Sequence, residues 1–261
     1  MIILDFWWQL LLGGVLVYLL CNINYAVLIS KTFKKKDIRT CGSGNPGTTN
    51  MLRSFGFGYG ALTFALDALK GVLSVTAALL IFKAVSGEYV VLRFAGYFWG
   101  MCAILGHVFP VFLRFKGGKG FATTIGAFIV LNPLWTAVFL AIGLVLLFIW
   151  DYMSVFALFF ATALLVQNII CFVLDTAIVS SGALAFFIAA VAIDWFVVIF
   201  AHRSNIRRLF GGCENKTGTG KLFGKKEKYT RRHVRRFFVL TASRFSYILA
   251  IIYRAQGGKC L

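Results

Sequence analysis

The chain has 261 residues, 60% of them hydrophobic and only 14% charged, and its mean hydropathy is +0.84. A soluble domain of this size has no use for that much apolar surface, so the composition points to an integral membrane protein. The 27 lysines and arginines against nine acids leave a formal charge of +18. They cluster in loops between apolar runs, which makes anionic headgroups and anionic substrates the expected partners and excludes nucleic acid.

Apolar runs predict spans near 7–30, 60–83, 91–112, 120–131, 134–150, 155–173 and 178–200. Most reach the ~20 residues that cross ~30 Å of hydrocarbon. The fourth is short and ends at Asn132-Pro133; it reads as a tilted short span or as half of a helical hairpin. The first run has no basic segment before it and is longer than a signal-peptide core, so it reads as a span. Trp7 and Trp8 fit an interfacial aromatic belt. The expected fold is an all-α integral membrane protein of about seven transmembrane helices.

Orientation follows from the basic residues. The loop after the first span and its partners on that side carry Lys31, Lys34, Lys35, Lys36, Arg39, Arg53, Arg114, Lys116, Lys119 and every basic residue from Arg203 onward. The other side has little beyond Lys83 and Arg93. The positive-inside rule then puts the N-terminus outside and the C-terminus in the cytoplasm.

Three polar loops fall on the inner side. The first carries Gly42, Ser43, Gly44, Asn45, Pro46, Gly47, Thr48, Thr49 and Asn50, followed by Arg53. Its glycines allow tight turns, its hydroxyls and amides donate, and Arg53 can grip a phosphate through two N–H groups. The second holds His107 and then Lys116, Gly117, Gly118, Lys119 and Gly120 before a helix-like stretch. A glycine loop opening a helix suits an anion, because free N–H groups point outward. It lacks the Walker A spacing, so it makes no case for a nucleoside triphosphate. The third runs from His202 through Asn205 and Arg208 to Glu214. His202 and Asn205 would share a helix face, and Glu214 is expected to pair with a neighbouring arginine. Ser154 lies in a fourth inner segment. The convergence of these segments predicts an anion site for more than one phosphate.

Two spans carry charges. Asp67 and Lys70 share a helix face, and Asp194 lies in the last span. Lone charges at mid-membrane are costly, so Lys70 is expected to pair with Asp67 or Asp194 beneath the loops. The six cysteines show no paired or metal-ligand spacing. Residues 1–216 form the expected membrane domain. Residues 217–261 read as a basic cytoplasmic tail with an interfacial amphipathic helix.

The three loops, in order, closely resemble the motifs of the bacterial acyl-phosphate:glycerol-3-phosphate acyltransferases. The match includes Gly42 to Gly47 with Thr49, Asn50 and Arg53, then Gly106-His107 with Lys116 to Gly120, then His202, Asn205, Gly212 and Glu214. Asp67, Lys70, Gly71, Tyr152 and Ser154 also match, while Thr48 stands where an alanine is usual. The resemblance covers residues 1 to about 216 and leaves out the tail.

The resemblance implies an inner-membrane enzyme of seven spans with a cytoplasmic site. It would move an acyl chain from acyl phosphate to the 1-hydroxyl of glycerol 3-phosphate, giving lysophosphatidic acid and inorganic phosphate. It implies no cofactor and no metal, and a monomer is compatible with it. By carry-over, Ser43 and Arg53 would hold the glycerol 3-phosphate phosphate. Gly117, Gly118 and Lys119 would hold the acyl-phosphate end. His202 and Asn205 would orient substrate, and a substrate phosphate oxygen could take the hydroxyl proton in place of His202. His107 and Ser154 would lie close by, and Asn45, Asn50 and Lys116 complete the expected binding set. Read from the residues alone, the same cations would also serve an anion transporter, whose expected inverted repeat is not evident.

Overall fold

The structure is a computed structural model that describes residues 2–217. The expected tail helix lies outside the described residues. Eleven α-helices follow one another among the described residues: α1 (Trp7–Cys21), α2 (Tyr25–Lys34), α3 (Thr48–Phe55), α4 (Phe57–Val85), α5 (Tyr89–Val108), α6 (Phe121–Leu131), α7 (Pro133–Trp150), α8 (Met153–Leu174), α9 (Thr176–Ser180), α10 (Leu184–Ala201) and α11 (Arg203–Phe210). Among the described residues six segments are long and apolar enough to cross a bilayer: Ile3–Lys34, Phe57–Val85, Tyr89–Leu113, Pro133–Trp150, Met153–Leu174 and Leu184–Ala201. Their outer faces carry exposed Leu12, Val15, Leu73, Leu134, Ile149 and Phe196. Only hydrocarbon tolerates so continuous an apolar belt.

The bundle is built around α5, which is buried along most of its length and packs against α1, α4, α6 and α10. Helices α4 and α6 approach closely. A Cβ at Gly71 would sit 2.2 Å from the Thr123 carbonyl oxygen, and one at Gly126 would sit 1.9 Å from that of Ala68. These two glycines bring the backbones into contact, as small residues do between membrane helices.

The fourth expected span becomes α6, an 11-residue helix about 16 Å long. It opens inside the bundle, where Gly120 packs against Ile104, Val108 and Val198. With α7 it forms the helical hairpin that the Asn132-Pro133 break allowed. At the hairpin turn Asn132 is half-buried and its side chain is paired. Arg93 Nη1 donates to the Leu131 carbonyl (3.2 Å), and Asn132 Nδ2 donates to Tyr97 Oη (2.8 Å) and to Asn168 Oδ1 (2.9 Å). Tyr97 Oη in turn donates to Asn168 Oδ1 (2.6 Å).

The first expected span is not one helix. It breaks at Asn22-Ile23-Asn24 between α1 and α2. Asn24 caps α2 by accepting from Val27 N (3.0 Å) and ties the first polar loop down by donating to the Pro46 carbonyl (3.1 Å). The carbonyls freed at the break are taken by Lys70, whose Nζ donates to Cys21 O (3.3 Å) and to Ile23 O. Lys70 also pairs with Asp67 (3.3 Å). Of the two partners expected for it, Asp67 is the one it meets. Asp194 is buried elsewhere, beside Thr124 and Trp195, with Oδ1 lacking a hydrogen-bond partner.

Candidate active site

One cavity of about 570 Å³ opens where the polar loops meet. Its polar end is lined by Ser43, Asn45, Asn50 and Arg53 from the first loop and α3. His107 comes from the last turn of α5, Lys119 from the second loop, Ser154 from α8, and His202, Asn205, Arg208 and Glu214 from the α10–α11 corner. Its other end is apolar, with Phe57, Phe64, Ile125, Leu144, Leu147 and Phe156 on the walls. The cavity is therefore amphipathic, with cations at one end and a trough between helices at the other.

The polar end is a connected set. Lys119 Nζ donates to Asn205 Oδ1, and Asn205 Nδ2 donates to Glu214 Oε1 (2.7 Å). Arg208 Nε donates to Glu214 Oε2 (2.9 Å), the expected arginine pairing. Glu214 thus fixes which way the Asn205 amide faces and leaves its oxygen to Lys119. Burial lowers the Lys119 ammonium to about 8, which Glu214 partly opposes and Arg208 and Arg53 reinforce. Burial, with the Lys119 charge beside it, lowers the His202 imidazole to about 4, so this ring is neutral at physiological pH. His202 Nδ1 meets the Val198 carbonyl (2.8 Å), so Nδ1 carries the proton and Nε2 is left as an acceptor.

The carboxylates of the cavity are neutralised in place. Glu214 is held by Arg208 and Asn205, and Asp67 by Lys70 and His107 (3.5 Å). Arg53 and Lys119 remain as a net positive field at the cavity's polar end, which suits phosphate.

The glycerol-3-phosphate acyltransferase family profile matches residues 11–212. The chain belongs to the glycerol-3-phosphate acyltransferase family. A glycerol-3-phosphate acyltransferase of Thermoanaerobacter pseudethanolicus is 36% identical over 207 residues, which is 79% of this chain and 95% of that protein. One from Clostridioides difficile is 37% identical over 211 residues, covering 80% of this chain and 95% of its own. Among solved structures, PlsY (YgiH), an integral membrane glycerol 3-phosphate acyltransferase, matches in its glycerol 3-phosphate form with a TM-score of 0.67 and 30% identity, over 83% of this chain and 100% of that one. Its lysophosphatidic acid form matches with a TM-score of 0.65 and 29% identity.

The acyltransferase brings Ser43, Asn45, Asn50, Arg53, His107, Lys119, Ser154, His202 and Asn205 to one cavity, as expected of a shared site. Lys116, Gly117 and Gly118 do not line it. The N–H of Gly117 donates to the Val108 carbonyl (3.2 Å) and that of Gly118 to the His107 carbonyl (3.1 Å), so neither is free for an anion. What Gly118 supplies is room, since a Cβ there would lie 2.0 Å from His107 Nε2. Gly120, at φ +81°, lets the loop turn directly into α6, whose first residues, Phe121 and Ala122, line the cavity. Lys116 is exposed on the loop outside.

Asn50 lines the cavity but its amide is spent on the loop. Its Oδ1 accepts from Ser43 N (3.0 Å), and its Nδ2 donates to Ile38 O (3.2 Å) and Cys41 O (2.9 Å). It shapes the loop that presents Ser43. The residues missed by sequence reasoning are Asp67, which reaches the cavity from α4, and Asn215 and Lys216, whose carbonyls accept from Arg53. The Asp67–Lys70 spacing and the resemblance at Asp67 both pointed to the first, but as a pair beneath the loops and not as part of the cavity wall.

Proposed function

We propose that the acyltransferase uses acyl phosphate as donor and places the acyl group on the 1-hydroxyl of sn-glycerol 3-phosphate, releasing 1-acyl-glycerol 3-phosphate (lysophosphatidic acid) and inorganic phosphate. The observation that carries this is the single amphipathic cavity. It offers a cationic end for two phosphates and an apolar trough for one chain, continuous with each other.

In this reading Ser43 and Arg53 hold the phosphate of glycerol 3-phosphate. Lys119 and the N-terminus of α6 hold the acyl-phosphate end, a role the resemblance implied in part for Gly117 and Gly118. His202 and Asn205 orient the acceptor, and Ser154, buried with its hydroxyl unpartnered, lines the same cavity. The hydroxyl oxygen attacks the acyl carbon and the bond from that carbon to the phosphate oxygen breaks. The hydroxyl proton passes to a phosphate oxygen or to His202 Nε2. Lys119 stabilises the leaving phosphate, and much of the rate comes from holding two anions in line with fixed donors.

The topology that fits has seven crossings, with α6 completing the seventh as the short arm of its hairpin. The N-terminus is outside and the site opens to the cytoplasm of a bacterial inner membrane. Lys31, Lys34, Lys35, Arg39 and Arg114 all adjoin the elements that form the polar end, which supports this orientation. The family match ends at residue 212, ahead of the basic stretch 217–261.

Purified protein in detergent or bilayer, given palmitoyl phosphate and labelled glycerol 3-phosphate, is expected to form lysophosphatidic acid and phosphate. Palmitoyl-CoA should not substitute, and Arg53→Ala should lose the product. Product from the thioester alone, or none from a folded wild type, would refute the donor assignment.

A further inference from the structure

A second hollow, of about 1080 Å³, lies outside the catalytic cavity, on the outer seam between α7 and α8. Trp135 and Trp150 mark its ends on α7, and Phe159 and Val166 line it from α8. Trp135, Ile142, Val166 and Ile170 are exposed, so the seam faces lipid. From Trp135 to Trp150 it runs about 22 Å along α7, deeper than the roughly 15 Å of one leaflet. Among the described residues no charged side chain lines it. An apolar trough of this depth suits a hydrocarbon chain.

At its Trp150 end the seam is lined by Ile206, Leu209 and Phe210 of α11. The same helix gives Asn205 and Arg208 to the catalytic cavity. Helix α11 is thus a wall shared by the two hollows. Arg203 and Arg207 are four apart and share a further strip of it. Each stands three positions before a seam residue, Ile206 or Phe210, so the two arginines flank the mouth of the seam. Both are exposed. Arg203 lies 4.4 Å over the Phe200 ring and donates to the Phe200 carbonyl (3.1 Å). The Arg207 guanidinium has no partner among the described residues. The nearest acid in sequence, Glu214, is already held by Arg208 and Asn205.

We propose that the seam binds one anionic phospholipid from the leaflet next to the polar loops. An acyl chain lies between α7 and α8, and the headgroup phosphate meets Arg203 and Arg207. Charge selects this occupant. A zwitterionic headgroup brings its own cation to the two arginines, whereas an anionic one does not. A second copy of the chain, at +18, would set like charges together at the mouth. So would the chain's own apolar stretch 237–253, which follows Arg231, Arg232, Arg235 and Arg236. The bound lipid packs Ile206, Leu209 and Phe210 from behind and steadies Asn205 and Arg208 on the other face of α11. Anionic lipid is thereby an activator. Its binding does not depend on which acyl donor the acyltransferase uses.

Native mass spectrometry of the full chain, released from detergent holding equal dioleoyl phosphatidylglycerol and dioleoyl phosphatidylcholine, reads the site without any substrate. One phosphatidylglycerol should be retained in preference to phosphatidylcholine. Arg207→Gln, at an exposed position that the fold does not need, should lower that preference about fivefold. Ala163→Trp fills the seam from α8 and should remove the retained lipid whatever its headgroup. Turnover gives a second reading. Phosphatidylglycerol in place of phosphatidylcholine should raise wild-type kcat about fivefold. Arg207→Gln should lose most of that gain and keep the rate seen in phosphatidylcholine. Equal retention of the two lipids, or a preference that survives both substitutions, would overturn the site. Full-length protein that retains no lipid, as monomer or as dimer, would do the same and give the seam to the tail or to a second copy. A kcat indifferent to headgroup would overturn the coupling through α11. If wild type makes no lysophosphatidic acid, the function has failed, and the mass spectra still judge the lipid site.

Discussion

Arg53 Nη2 donates to the backbone carbonyls of both Asn215 and Lys216, at 2.9 Å each. The guanidinium assigned to substrate phosphate is thus already held by the strap that follows α11. The strap is pinned in turn, with Thr217 N donating to the Asp151 carbonyl (2.8 Å) and Met153 N donating to Thr217 Oγ1 (3.1 Å).

Strap carbonyls and substrate phosphate compete for the same N–H groups. Thr217→Ala removes one pinning hydrogen bond, worth about 0.5–1.5 kcal/mol, and so should lower KM for glycerol 3-phosphate by about 2- to 10-fold while kcat holds. Steady-state kinetics decide this. A rise in KM would mean that the strap forms part of the binding surface instead of competing with it.

Gly118→Ala places a methyl 2.0 Å from His107 Nε2. Overpacking of this kind costs about 1–3 kcal/mol, and the ring must also move. The expected result is a lower thermal midpoint together with a kcat loss larger than any rise in KM for either phosphate substrate. A pure KM effect would restore the phosphate-cradling role that the Lys-Gly-Gly-Lys-Gly pattern first suggests.

The pH profile should be asymmetric. Lys119 titrates at about 8, so the cation that grips phosphate is present below that pH and is lost above it. The kcat/KM of the acyltransferase should fall on the alkaline side of about pH 8, and Lys119→Arg should shift that limb upward. His202 stays neutral down to about 4 and produces no acid limb between pH 5 and 7. It does affect stability. The unfolded chain protonates His202 near 6.5 and the folded one only near 4, so between these values the unfolded state binds more protons. The contribution is full above 6.5 and is lost as pH falls towards 4. His202→Gln should flatten that slope in thermal melts.

Asn132→Leu tests the hairpin turn. It removes two donors from the Tyr97–Asn168 pair and should cost about 1–3 kcal/mol. Because the turn lies far from the cavity, specific activity at low temperature should be unchanged. An activity loss without a drop in melting temperature would contradict this.

What was legible in the sequence was whatever local pattern encodes. Long apolar runs gave the spans, and clustered Gly, Lys, Ser and Asn gave the loops that converge. The break at Asn22-Ile23-Asn24 was hidden because three residues barely dent the average of a 24-residue apolar window. The role of Gly117 and Gly118 was misread because a glycine that frees an N–H and a glycine that makes room for a ring leave the same letter. The contact of Asp67 with His107 joins two helices 40 positions apart, and no periodicity within either helix announces it. The pairing of Lys70 was half legible, since the i, i+3 spacing named Asp67 while burial alone kept Asp194 in contention.

The break in the first span has a bearing on how the chain is made. The carbonyls of Cys21 and Ile23 find their partner in a lysine 49 and 47 positions later. Until that lysine leaves the ribosome, the first hydrophobic segment enters lipid with open acceptors, each costing several kcal/mol there. It is therefore an unfinished crossing that becomes stable only when the second arrives. The two segments are committed to the bilayer as a pair, and the order of membrane insertion is written into one side chain.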